Sequence, residues 1–73
     1  MITEKAWKLA ELARKEKHES ISAAAFDELV DNCHPTEAEF AEFARGLILS
    51  SRVIWKLIIK IPKWDFEYEH FGT

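Results

Sequence analysis

Residues 36–62 read TEAEFAEFARGLILSSRVIWKLIIKIP, and their conformation decides the fold. The stretch opens on Thr36-Glu37-Ala38-Glu39, in which the Thr36 hydroxyl and the Glu39 carboxylate can satisfy each other's backbone amides as a capping box. Beyond it the apolar positions Phe40, Phe43, Leu47, Ile54, Ile58 and Ile61 fall within about 60° of one another at 100° per residue. Arg45, Arg52, Lys56 and Lys63 cluster on the opposite side. One long helix over about residues 37–61, with Ser50 and Ser51 in mid-stripe, accounts for this pattern, and Pro62 ends it. A strand over 52–61 is the competing reading, because Val53, Ile54, Ile58, Ile59 and Ile61 are β-branched. The triplets Leu47-Ile48-Leu49, Val53-Ile54-Trp55 and Leu57-Ile58-Ile59, separated by polar residues at helical spacing, favour the helix.

Those triplets make the helix apolar over more than half of its circumference, so it must be contacted on two sides. Two earlier helices gripping it in a three-helix monomer would do so, as would a homodimer or a partner protein.

Upstream, Thr3 is positioned to cap a first helix running to about Lys17. Its stripe of Ile2, Ala6, Leu9 and Ala13, flanked by Leu12, is narrow and rich in alanine, and Trp7 falls well off it. After a break at His18 to Ser22, in which either serine can cap, a second helix over about 21–33 carries Phe26, Leu29, Val30 and Cys33 on one side. Asp27, Glu28 and Asp31 lie on the other, and Pro35 closes the element. The expectation is an all-α three-helix bundle over residues 1–62 with a long third helix, followed by a C-terminal tail over 63–73.

In the tail, aromatic and acidic residues alternate from Trp64 to Glu69. Extended, it would set Trp64, Phe66 and Tyr68 on one face and Asp65, Glu67 and Glu69 on the other. It folds back so that its aromatics complete the core, binds a partner's edge or basic groove, or forms a short final helix.

With 73 residues the chain is one domain, and 48% hydrophobic content excludes a disordered tail. A lone cysteine, Cys33, excludes an internal disulfide and suits a small buried hydrophobe. The N-terminal residues have no apolar run of the secretory kind, and Arg52, Lys56 and Lys60 interrupt the most apolar stretch. No transmembrane segment and a cytoplasmic location are therefore expected.

The net charge of −3 conceals segregation. Residues 19–42 hold seven acids and no base, whereas 43–63 hold Arg45, Arg52, Lys56, Lys60 and Lys63 and no acid. Blocks of this kind steer partner choice more than they stabilise a fold.

Catalytic and ligand chemistry is sparse. Gly46 and Gly72 stand alone, so there is no phosphate loop. Cys33 and His34 are sequence neighbours whose side chains diverge on a regular element. Glu67-x-x-His70 has the spacing of carboxylate-bridged metal sites but occurs once. No enzyme activity, metal or cofactor is expected. The stripe of bases on the third helix could track phosphates, but the first turns of that helix hold Glu37, Glu39 and Glu42, which disfavours direct DNA reading. A basic face meeting acids of the second helix or of a partner is the simpler account.

Lys56-Leu57-Ile58-Ile59-Lys60-Ile61-Pro62 resembles the Lys-Leu-x-x-Lys-Ile-Pro end of the third helix in the Hha/YmoA nucleoid co-regulators. Those short helical proteins bind another DNA-binding protein. The family's Ala-Asp-His-Arg stretch is missing here, where Arg45-Gly46-Leu47 and Ser50-Ser51 stand instead.

Together these features lead to a small regulator, inhibitor or adaptor acting by protein–protein contact. The alternative is a nucleic-acid-associated co-regulator using the basic stripe. The residues expected at the partner surface are Arg52, Lys56 and Lys60, then Trp64, Phe66 and Tyr68, then Asp27, Glu28 and Asp31.

Overall fold

The computed structural model describes residues 1–64 and is all-helical over them, without a strand. Four α-helices, α1 (Glu4–Glu16), α2 (Glu19–Asn32), α3 (Glu37–Ala44) and α4 (Ser51–Lys60), are followed by a 3-10 turn, Ile61–Lys63. The helices α1 and α2 share the most extensive contact; α4 packs on α2, and α3 touches α1.

Each start has its local cause. The Thr3 hydroxyl accepts from the Ala6 amide at 3.2 Å and opens α1. The Thr36 hydroxyl accepts from the Glu39 amide at 3.1 Å while the Glu39 carboxylate accepts from the Thr36 amide at 2.9 Å, so the capping box forms in both directions. The start of α2 corrects the expected serine cap: His18 Nδ1 accepts from the Ser20 amide at 3.1 Å, and the helix begins two residues early. Ser22 is instead buried, and its hydroxyl accepts from the Ile48 amide at 3.3 Å, tying α2 to the segment before α4.

The single long third helix is also corrected, since helical geometry stops at Ala44 and resumes at Ser51. Arg45 is extended, Gly46 sits at φ 79° in the left-handed region that glycine adopts without a Cβ clash, and Ser50 caps α4 by accepting from the Val53 amide at 3.4 Å. Arg14 of α1 seals the break: its guanidinium donates to the carbonyls of Phe43 at 3.1 Å and Arg45 at 3.2 Å, groups that the end of a helix leaves without partners. A Cβ on Gly46 would lie 3.4 Å from Cδ of that same Arg14. Gly46→Ala is therefore expected to cost about 1–2 kcal/mol through the left-handed backbone, read as a lower urea midpoint.

The core contains Ala6, Ala10 and Ala13 of α1, whose small side chains let α2 approach closely, and Phe26, Leu29, Val30 and Cys33 at the predicted positions of α2. Phe43 is the one buried residue of α3. Its ring lies 5.5 Å from that of Trp7 and 5.6 Å, edge-on, from that of Phe26, so Trp7 lines the groove that receives it. The first aromatic of the tail, Trp64, is buried with its ring 5.6 Å from Phe40. Phe66, Tyr68 and the rest of the expected tail pattern lie outside the described residues.

The Glu39 carboxylate is held below the usual carboxylate range, first by the Thr36 amide, which outweighs the opposing effect of burial, and then by the Met1 amino group 3.6 Å away. A lowered folded-state pKa contributes stability above the unfolded value, and that contribution disappears as pH falls through the folded value. Glu39→Gln is expected to flatten this acid limb of a stability–pH profile measured by urea unfolding.

Candidate docking face of the fourth helix

The break at 45–50 resets the phase of everything after it. In α4 the buried residues are Val53 and Leu57, not the expected Ile54 and Ile58, which are 42% and 54% exposed. Packing on α2 selects the Val53–Leu57 side, one residue away from the stripe that an uninterrupted helix would present. Ile54, Trp55, Ile58 and Ile59 consequently form an outward ridge covering about 140° of the helix at 100° per residue. Ile48 and Leu49, in the segment leading into α4, are also exposed. Trp55, at 66%, is the most exposed of the six.

The basic residues edge this ridge on the side facing α2. Arg52 Nη2 lies 3.3 Å from Asp27 Oδ2, and Lys56 Nζ lies 2.5 Å from Asp27 Oδ1. Asp27 thus bridges two bases of α4, and the meeting of opposite charge blocks expected from the sequence occurs within the chain. Lys56 and Lys60 also border a shallow hollow of about 140 Å³ that Val30, Asp31 and Ile59 complete. Glu28 turns the other way, to Lys5 of α1 at 3.7 Å.

Of the residues expected at a partner surface, the fold gathers Arg52, Lys56, Lys60, Asp27 and Asp31 along one α2–α4 seam. It places Glu28 toward α1 and Trp64 inside. Phe66 and Tyr68 lie outside the described residues. Spacing does not reveal the ridge beside the seam, because an uninterrupted helix places Ile54 and Ile58 in the core stripe. The available signal was Gly46 followed by Ser50, a helix stop and a helix start within five residues.

Other concave regions offer less. A broad cleft of about 950 Å³ lies between the starts of α2 and α4, lined by residues that include His18, Ser50 and Arg52. Its capping groups already accept from Ser20 and Val53, and Arg52 is paired with Asp27. Cys33 is buried, with its sulfur 3.7 Å from the Thr3 hydroxyl and 3.6 Å from the Glu28 carbonyl. Among the described residues no three His, Cys, Asp or Glu side chains converge as a metal site would require, and no helix is long and apolar enough to cross a membrane. Glu67 and His70 lie outside the described residues.

No family model, curated protein or solved structure matches this chain.

Proposed function

We propose that this chain is a small non-enzymatic regulator, inhibitor or adaptor that works by protein–protein contact and docks through the outward ridge of α4. The observation that carries the reading is the exposure of Ile54, Trp55, Ile58 and Ile59 on one helix, with Ile48 and Leu49 also exposed in the segment before it. The four ridge residues hold on the order of 500 Å² in water, within the 300–600 Å² of the largest and often functional patch on a monomer. A tryptophan among aliphatic residues on a convex helix is the kind of anchor that carries most of an interface's affinity.

The seam beside the ridge supplies orientation. Arg52 and Lys56 are already engaged by Asp27, which reduces what they offer to phosphate and weighs against a nucleic-acid role for the basic stripe.

Capture from the source cells tests this reading, with tagged wild-type chain compared against Ile58→Glu and against Glu11→Gln as a control on α1. Proteins held by the wild type and the control but lost from Ile58→Glu, at equal helical circular dichroism, are the expected result. An identical set on all three baits overturns ridge docking.

A further inference from the structure

We infer that the occupant of the α4 ridge is a second copy of this chain, paired antiparallel about a two-fold axis crossing α4 between Lys56 and Leu57. The inference rests on the ridge-docking reading and names its partner. A two-fold interface requires a surface that is its own complement, with residue i meeting j and j meeting i. The ridge positions 54, 55, 58 and 59 have a spacing that is unchanged on reversal. Antiparallel packing therefore sets Ile54 against Ile59 of the partner subunit and Trp55 against Ile58 of the partner subunit. Large and medium side chains alternate across the seam, and each ridge residue meets an apolar counterpart.

The four paired positions of the two copies, fully covered, bury on the order of 1,000 Å² in total, the size of a weak or transient interface. Antiparallel two-fold pairing brings the same flank of each α4 together, which would set bases on bases. The flank is partly neutralised from within, because Asp27 bridges Arg52 and Lys56. An extended anionic surface, whether bilayer or duplex, would meet Asp27 and Asp31 beside those bases and a chain of net charge −3. A second α4 meets the ridge apolar against apolar, and like charges approach only along the flank that Asp27 partly neutralises.

Sedimentation equilibrium of the full chain, from micromolar to millimolar, tests the pairing. A monomer–dimer equilibrium is expected, with Ile58→Glu and Trp55→Glu each weakening association by about 100-fold or more at unchanged helical circular dichroism. Geometry is tested by oxidising single-cysteine variants, with buried Cys33 as an unreactive background. Ile58→Cys lies close to its symmetry mate and should form a covalent dimer. Ser51→Cys should not, because antiparallel pairing offsets its two copies by about 16 Å along the axis.

A wild-type chain that stays monomeric throughout overturns self-pairing. So does a dimer that survives both glutamate variants, or Ser51→Cys cross-linking as readily as Ile58→Cys. If the monomer sediments with phosphatidylglycerol vesicles through Trp55, lipid covers the ridge and the inference also fails. A monomer whose Ile58→Glu variant still loses captured proteins ends self-pairing but leaves ridge docking standing, which separates the two failures.

Discussion

Phe43→Ala is expected to remove a large share of the fold's stability, read as a strongly lowered urea midpoint by circular dichroism at 222 nm. Truncating a buried phenylalanine costs about 3–5 kcal/mol, because the lost transfer energy is joined by the cavity left behind. A chain of this length has a total stability of about 4–11 kcal/mol at 0.05–0.15 kcal/mol per residue. At this position the loss falls in the upper part of that range for structural reasons. Phe43 is fully buried and is the only buried residue of α3, while its ring meets Trp7 of α1 and Phe26 of α2. Removing it takes away both aromatic pairs and the anchor holding α3 to the first two helices. Phe40→Ala is the matched control: its ring meets Trp64, but it is only half-buried, so a smaller loss is expected.

The contrast between Phe43 and α4 shows where a sequence informs on such a fold and where it stops. Caps are short-range devices. Thr3 and the Thr36–Glu39 pair act on amides three residues away, so their chemistry was legible from spacing, as was the α2 stripe of Phe26, Leu29, Val30 and Cys33. His18 was overlooked as a cap because an imidazole nitrogen does this less often than the hydroxyls of Ser20 and Ser22 beside it. The α3–α4 break was hidden by coincidence. Phe40, Phe43 and Leu47 remain in phase with Ile54, Ile58 and Ile61 if the helix is drawn straight through, although residues 45–50 are not helical. Once helical continuity is lost, packing on α2 sets the phase of α4, and that choice depends on residues more than twenty positions away. The same limit applies to the site. Opposite charge blocks could be read from composition, but the choice of Asp27 as the residue bridging Arg52 and Lys56 required the α2–α4 crossing. Apolarity alone also did not tell a core isoleucine from a docking isoleucine.

Val53→Asp and Ile54→Asp, changes at adjacent positions, are expected to have opposite consequences. Val53 is 1% exposed and faces the bundle, so an aspartate there must either bury an unpaired carboxylate or force α4 off α2. The expected loss is about 3–5 kcal/mol, comparable to leaving an uncompensated charge in a core. Undocking would also expose Leu57 and separate Asp27 from Arg52 and Lys56, so α4 amides should lose hydrogen-exchange protection before those of α1. Ile54, about 100° round the helix from Val53, is 42% exposed, and its aspartate variant should stay within about 0.5 kcal/mol of the wild type in urea. Its loss should appear only in association, where a carboxylate enters the apolar seam facing Ile59 of the partner subunit. The pair therefore separates folding from docking on a single helical turn. A destabilised Ile54→Asp beside a tolerated Val53→Asp would restore the phase of one uninterrupted third helix, with Ile54 and Ile58 inside, and would remove the ridge on which the proposed contact depends.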